Sequence, residues 1–439
     1  MNWRTSNFIK QLKFSFGFKL LSILISFLLV RYLLKYLDIR DYGLWSVILS
    51  FLNWVVFFDL GIANGVKNKI AESLSSKKTN EAKKFISTGY ISLFFFSSFV
   101  YLFVLIFSRL INWQIVFNSH YHSNDYFQSL ILIILFFTLF NFILSLINNV
   151  FNAIQRASLV TLNQFVTQIL SLLTVSLLLI YTKPDLRILA FGYGLSILLS
   201  NLILSIWFYN KNKNLSPSFK DYDKKKVKSI IHLGLRFFLL QLTMMIILTT
   251  DRFILIQLAG AEDVTRYDII SRYFKTVVIF HTIINAPLWS MYTDAYSKRD
   301  FNWLEKTMKN LIKLFGVYVL GVIVMIVFGK KIINFWLNND NLGLSISNYI
   351  YMGVLVLFNI AHSILAYFTN GIGKTKIQMM TSIIGAVLNI PLSIFFVNYL
   401  NLGINGVILA TVICLSFFCF IGPFQVYKEI KLIKLGSSS

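Results

Sequence analysis

Residues 126–150 read YFQSLILIILFFTLFNFILSLINNV, which is 25 residues without one charged side chain. A helix needs about 20 consecutive apolar residues to cross the hydrocarbon core of a bilayer. Eleven further runs of this kind occur, so the sequence predicts twelve transmembrane helices. The other runs are 14–37, 43–65, 86–110, 159–181, 187–209, 232–257, 265–292, 311–328, 346–369, 377–399 and 403–426.

The overall composition agrees with these runs. Apolar residues make up 56% of the 439 residues and charged residues only 13%, with 43 Phe. Soluble domains carry about 25% charged residues, so a soluble protein is excluded. The first apolar run is too long for a cleavable signal peptide. The sequence therefore predicts an all-α polytopic membrane protein, with an appended tail at 436–439 outside the fold.

Lys and Arg are distributed unevenly between the loops. With the N-terminus in the cytoplasm, about 27 of the 41 lie in cytoplasmic segments and about 7 in outer loops. This bias orients membrane proteins and predicts that both termini are cytoplasmic. The net charge of +23 lies mainly in short loops between apolar runs. We therefore interpret it as a signal of membrane orientation, and we expect no nucleic-acid partner.

A Lys-rich stretch at about 208–230 divides the chain into two predicted six-helix lobes, 1–215 and 216–435. Four short matches recur in the same order in both halves, at offsets of about 217 to 224 residues. They are Gly17-Phe18-Lys19 with Gly234-Leu235-Arg236, Arg31-Tyr32-Leu33-Leu34 with Arg252-Phe253-Ile254-Leu255, Ala71 and Glu81 with Ala295 and Glu305, and Asn152-Ala153-Ile154-Gln155-Arg156 with Asn370-Gly371-Ile372-Gly373-Lys374. Repeated halves predict a substrate path at their interface.

The eighth run carries the deepest charges. Asp268, Arg272 and Lys275 follow the spacing i, i+4, i+7 and share one helical face. A carboxylate one turn away can hold the Arg side chain in place. Ionisable groups inside a membrane are costly and tend to face a wet cavity or a partner. Two alternatives stay open, a cationic patch that lines a cavity and a structural ion pair between helices.

Further charges fall within or at the ends of other runs. Arg31 and Arg252 occupy equivalent outer positions, and either a cavity role or snorkelling to the interface explains them. The inner pair is Lys19 and Arg236, for which the alternatives are a cavity role and an anchor to lipid phosphates. Three carboxylates are candidates for ion coupling or charge balance, namely Asp268, Asp251 and Asp59. For Asp59 the alternative is a capping or structural role.

These residues indicate an anionic substrate. Phosphate and pyrophosphate fit the arginine fork, whereas a hydrophobic cation would be repelled. No metal-ligand cluster, phosphate-cradling glycine loop or nucleophile–base pair is recognisable, so we expect no metal, no cofactor and a transporter rather than an enzyme. The short outer loops also leave little room for a catalytic domain.

Several short segments resemble one transporter family. The segments are Leu37-Asp38-Ile39-Arg40-Asp41-Tyr42-Gly43-Leu44-Trp45, Asp59-Leu60-Gly61, Asp251-Arg252-Phe253-Ile254-Leu255 and Asn370-Gly371-Ile372-Gly373-Lys374. In this order they resemble the polysaccharide-transport branch of the multidrug/oligosaccharidyl-lipid/polysaccharide exporter superfamily, the Wzx-type flippases. The resemblance covers nearly the whole chain.

The resemblance implies two pseudo-symmetric six-helix lobes around a cationic cavity in the bacterial inner membrane. It implies translocation of an undecaprenyl-pyrophosphate-linked oligosaccharide for O-antigen or capsule, coupled to an H⁺ or Na⁺ gradient as in an antiporter. The implied partners are membrane lipids, a glycan polymerase and a chain-length regulator. Two alternatives remain, namely a multidrug or small-anion exporter and a membrane enzyme of glycan assembly.

Overall fold

A computed structural model gives the fold of this chain. It describes residues 3–57, 62–119, 121–154, 156–227, 245, 247, 249–285, 288–338 and 342–436. Within these ranges the regular structure is entirely helical. The chain forms two compact units, residues 1–242 and 243–439. The lobe boundary at 215/216 and the tail at 436–439 stay predictions.

The first unit contains eight α-helices within the described residues. They are α1 (Trp3–Tyr36), α2 (Ile39–Phe57), α3 (Ile62–Ser75), α4 (Thr79–Phe107), α5 (Trp113–Val116), α6 (Asn124–Ala153), α7 (Ala157–Tyr181) and α8 (Leu186–Lys211). Short 3₁₀ turns follow at Ser108–Leu110, Lys213–Leu215 and Phe219–Asp221.

The second unit contains seven α-helices within the described residues. They are α9 (Asp251–Leu258), α10 (Ala261–Asn285), α11 (Leu288–Ser297), α12 (Phe301–Leu337), α13 (Ile346–Gly371), α14 (Lys376–Asn398) and α15 (Ile404–Gly436). The predicted run 311–328 is the apolar middle of the longer α12.

Nine helices of the described chain are long and apolar enough to cross a membrane, namely α1 from Phe14 onward, α4, α6, α7, α8 and α12 to α15. The predicted all-α polytopic membrane fold is therefore confirmed, while the count of twelve stays a prediction. The run 43–65 corresponds to α2 and α3, and the run 265–292 to α10 and α11. Most of the run 232–257 lies outside the described residues.

Two loops repeat their backbone geometry between the units. After α3, Lys77 has φ 58° and the amide of Lys78 donates to the carbonyl of Ser73 at 2.9 Å. After α11, Arg299 has φ 56° and the amide of Asp300 donates to the carbonyl of Ala295 at 2.9 Å. The offset is thus 222 residues.

At this offset Ala295 takes the position of Ser73, two residues from its predicted match with Ala71. The match of the Ala and Glu side chains stays a prediction. After α6 the amide of Arg156 bonds to the carbonyl of Phe151, as Lys374 does to Thr369 after α13, and this agrees with the predicted offset of 218.

The beginning of the Lys-rich linker lies against α4 in the first unit. The amide of Ser218 donates to Ser87 Oγ at 3.0 Å, and the amide of Asp223 donates to Thr88 Oγ1 at 3.1 Å. Ion pairs join Lys83 to Asp221 and Lys226 to Glu81. This segment is therefore a fixed part of the first unit.

A close helix approach in the second unit depends on Gly371, the last residue of α13. A Cβ there would lie 2.7 Å from Tyr292 Cβ and 2.9 Å from the carbonyl oxygen of Trp289. Neither atom is the end of a flexible side chain, so α11 would have to move. Small residues allow this kind of packing between membrane helices.

We expect Gly371→Ala to destabilise the protein by about 1–2 kcal/mol, because overpacking outweighs the small gain in helix propensity. The matched control is Gly321→Ala in α12, where nothing lies within 4 Å of the new Cβ. That change should be neutral or slightly stabilising. Thermal unfolding in detergent measures both, and equal melting temperatures for the two variants would contradict this account.

Candidate functional site

The charged face of α10 is held by one buried carboxylate. Arg272 Nε donates to Asp268 Oδ2 at 2.6 Å, so the i, i+4 pair predicted from the spacing is present. The Asp268 side chain is only 1% exposed, whereas the Arg272 side chain is 37% exposed. Asp268 therefore lies beneath the surface, and Arg272 reaches out from it.

A second arginine reaches the same carboxylate from α9. Arg252 donates to Asp268 Oδ1 from Nε at 3.0 Å and from Nη2 at 2.5 Å. The helices α9 and α10 meet at Gly260, whose φ of 89° favours glycine. Arg252 and Asp268 are each eight residues from this turn, so the turn brings them side by side. Asp268 is thus shared by two guanidinium groups.

The neighbouring carboxylate has different partners. Asp251 is buried and accepts hydrogen bonds from Tyr267 Oη at 2.5 Å and from Thr411 Oγ1 at 3.1 Å. Asn389 Nδ2 donates in turn to Thr411 Oγ1 at 3.1 Å, which extends the network to α14. Asp251 and Arg252 are adjacent in the sequence but have different partners. The contacts that fix Asp251 come from neutral hydroxyl donors.

Lys275 completes this face one turn beyond Arg272. Its side chain is exposed, and no carboxylate of the described chain lies within 4.0 Å of its Nζ. With two carboxylates and three cations, the group Asp251, Arg252, Asp268, Arg272 and Lys275 has a formal charge of +1. We call the exposed side chains of Arg272 and Lys275 the cationic face. This face can accept an anion, because its supporting carboxylates are already engaged.

The other predicted site residues are distributed as follows. Lys19 is half-buried and Arg31 is exposed, and both are on α1 in the first unit. Arg236 and Asp59 lie outside the described residues. The roles of these four residues stay predictions. Arg266 donates to Asp263 and to the carbonyl of Leu342, so it fixes the start of α10.

A cluster of asparagine side chains in the first unit was not predicted. Asn201 on α8 donates to Asn141 Oδ1 at 2.8 Å and accepts from Asn163 Nδ2 at 2.7 Å and from Asn148 Nδ2 at 3.1 Å. These bonds join α6, α7 and α8, and we call the four residues the amide cluster. Asn141 and Asn148 are seven residues apart on α6, a spacing that marks one helical face.

Metal ligation has no visible basis in the described part of the chain. No group of three or more His, Cys, Asp or Glu side chains occurs there in a metal-binding arrangement. Asp251 and Asp268 instead accept hydrogen bonds from Tyr, Thr and Arg side chains.

Comparison with solved structures gives the same fold for the chain. An inward-facing multidrug resistance MATE family transporter of the MOP superfamily superposes with a TM-score of 0.80 at 17% identity, covering 94% of this chain and 95% of that one. A MOP superfamily transporter from Pyrococcus furiosus, described as having a binding pocket of reverse polarity, gives a TM-score of 0.62 at 16% identity over 97% and 94% of the chains.

Two curated relatives align over most of the chain. A putative O-antigen transporter of Salmonella typhimurium is 24% identical over 405 residues, and a putative O-antigen export protein of Yersinia pseudotuberculosis is 23% identical over 410 residues. Each alignment covers 90% of both chains. Residues 237–395 match the MatE family model, and residues 9–293 match the model described as polysaccharide biosynthesis protein. Because this last match covers more than half of the chain, the protein belongs to the polysaccharide biosynthesis protein family.

Proposed function

We propose that this protein is a flippase that moves an undecaprenyl-pyrophosphate-linked oligosaccharide from the inner to the outer leaflet of the bacterial cytoplasmic membrane. The family match and the two O-antigen relatives support a glycan substrate. The observation that supports an anionic group in the substrate is the cationic face on α10. A diphosphate supplies several acceptor oxygens for a guanidinium fork and an ammonium group, and its charge offsets the cost of cations within the membrane.

The proposal includes a topology and a coupling mechanism. Both termini are cytoplasmic, the substrate moves by alternating access, and an H⁺ or Na⁺ gradient drives the cycle. Asp251 is our candidate for the coupling residue, since its carboxylate is held by Tyr267 and Thr411 rather than by a cation at bonding distance. The substrate comes from the glycan assembly pathway, whose polymerase and chain-length regulator are the proposed partners.

A drug exporter is the second candidate, because residues 237–395 match the MatE family and multidrug transporters share the fold. The cationic face distinguishes the two candidates. It repels hydrophobic organic cations and attracts phosphorylated lipids, and the specificity of a site depends on such repulsion as well as on attraction.

Complementation tests the proposal directly. The gene is expressed in a strain that lacks its own flippase and makes one defined lipid-linked repeat unit, and surface glycan is then measured. We expect glycan to return with matching repeat units and resistance to cationic drugs to stay unchanged. Drug resistance without surface glycan, across a panel of repeat units at normal protein levels, would overturn the proposal and favour the exporter.

A further inference from the structure

The first unit contains a pocket among its own helices. It has a volume of about 270 Å³ and lies between α2, α6 and α8. Its lining includes Trp45, Phe137, Thr138, Asn141, Tyr193 and Gly194. None of the described lining residues carries a charge. Pockets for drug-sized ligands occupy about 300–1,000 Å³, so this volume suits a single ring.

One side of the pocket is polar. Thr138 and Asn141 are three residues apart on α6 and face the pocket together. Asn201 Nδ2 donates to Asn141 Oδ1 at 2.8 Å, which fixes this amide and leaves its own Nδ2 for the pocket. Among the described residues, neither Asn141 Nδ2 nor Thr138 Oγ1 has a hydrogen-bond partner. The amide cluster thus presents one oriented donor group beside one hydroxyl.

Aromatic side chains form another part of the lining. The rings of Trp45 and Tyr193 meet edge to face, with centroids 5.5 Å apart and an interplanar angle of 86°. Phe137 is held against Gly194, where a Cβ would lie only 2.3 Å from Phe137 Cγ. These contacts fix the ring positions, so the aromatic wall is rigid. Trp45 is the last residue of the segment Leu37–Trp45 and lies in the first half of α2. The proposed role of the cationic face does not involve this residue.

The pocket therefore combines aromatic side chains with the polar groups of Thr138 and Asn141, and its described lining carries no charge. A pyranose ring has the complementary surface, because it carries C–H groups on its faces and hydroxyl groups on its rim. An acyl chain would leave Thr138 and Asn141 without partners, which is costly inside a membrane. A phosphate would find no cation here. The chemistry favours a neutral sugar.

We propose that this pocket is a subsite for one neutral sugar ring, a hexose or an N-acetylhexosamine. The inference rests on the proposed function, since it assigns part of the same glycan substrate to the first unit. Thr138 and Asn141 donate to oxygen atoms of the ring substituents, and the aromatic side chains of Trp45 and Tyr193 contact C–H groups of the sugar.

Photo-crosslinking tests this subsite without requiring transport. The probe is octyl β-glucoside with a diazirine on the sugar, applied to protein in lipid nanodiscs because glucoside and maltoside detergents would compete. We expect labelled peptides from 39–57, 124–153 and 186–211, and we expect excess octyl glucoside to remove the label. Thr138→Val should lower the labelling about three- to tenfold, since it deletes one hydrogen bond. Asn141→Leu should do the same.

The matched control is Thr167→Val on α7, whose hydroxyl donates to the carbonyl of Asn163 within its own helix and does not line the pocket. Its labelling should equal that of the wild type. If Asn141→Leu disturbs the amide cluster and fails to fold, Thr138→Val still decides the question, because its shape is unchanged.

Two results would overturn the subsite. One is wild-type labelling in Thr138→Val, and the other is equal labelling of the same peptides by an alkyl diazirine without a sugar, which would identify an acyl-chain pocket. Failure of the flippase proposal is a separate outcome. In that case complementation gives no surface glycan, while the sugar probe still labels the wild-type pocket.

Discussion

Replacing Asp268 with alanine is expected to lower the melting temperature of the protein by an amount on the order of 10 °C. The carboxylate accepts hydrogen bonds from Arg252 and Arg272 and is 1% exposed, so its removal leaves two guanidinium groups side by side. Breaking a buried ion pair by removing one partner costs about 3–5 kcal/mol, chiefly because the remaining charge is uncompensated. Thermal unfolding of purified protein in one detergent measures the effect.

A matched control exists on the same helix. Asp263→Ala also removes a carboxylate from an arginine, since Asp263 Oδ1 lies 2.5 Å from Arg266 Nη1, but both side chains are about a quarter exposed. Exposed pairs contribute about 1 kcal/mol or less, so the melting temperature should change by only a few degrees. Equal losses in the two variants would show that burial of Asp268 does not determine its contribution.

The physical cause can be separated from simple damage to the fold. If the penalty in Asp268→Ala comes from uncompensated charge, adding Arg252→Met should recover part of the lost stability. Replacing a buried ion pair by apolar residues is often close to neutral. A double variant that is less stable than Asp268→Ala would instead assign Arg252 a packing role.

The sequence predicted those features that depend on local spacing. The charge-free run 126–150 lies within α6 (Asn124–Ala153), because a helix that satisfies its own backbone is the simplest way to cross a bilayer. The pairing of Asp268 with Arg272 follows from helical geometry, since residues four apart lie on the same face. Both features need no knowledge of neighbouring helices.

Features that depend on contacts between helices were beyond the sequence. The second partner of Asp268 is Arg252. From the sequence, the alternatives for Arg252 were a role in a cavity and snorkelling to the membrane interface. The partner of Asp251 on α15, Thr411, is 160 residues away in the chain. The amide cluster contains residues of three helices, and the sequence of each helix alone does not indicate that Asn163 and Asn201 are in contact. Asparagine in an apolar run indicates a helix contact but not its partner.

The charged residues around α10 differ in burial. Asp268 and Arg252 form a buried ion pair between helices, which is the structural alternative. The side chains of Arg272 and Lys275 are exposed, and their role as a ligand-binding surface stays a prediction. Because the carboxylate that stabilises the unit also orients Arg272, substitution of Arg272 would change stability as well as the proposed binding. Lys275 is therefore the cleaner test of function.

Lys275→Ala is expected to reduce the surface glycan restored in the complementation assay by about 10- to 150-fold. The range corresponds to the loss of one charged hydrogen bond, about 1.5–3 kcal/mol, to the proposed diphosphate. Lys275→Arg should retain most of the activity, since it keeps a cation at the same position. Protein levels in the membrane and melting temperatures should stay close to those of the wild type, because no carboxylate of the described chain lies within 4.0 Å of Lys275 Nζ. The matched control is Arg266→Ala, which removes a cation from the same helix where Asp263 and the carbonyl of Leu342 already engage it. That variant should keep its glycan level once corrected for protein amount.

A wild-type level of surface glycan in Lys275→Ala would exclude the cationic face from the transport mechanism. Equal loss of glycan in Lys275→Ala and Lys275→Arg would show that the site requires the shape of lysine and not only its charge.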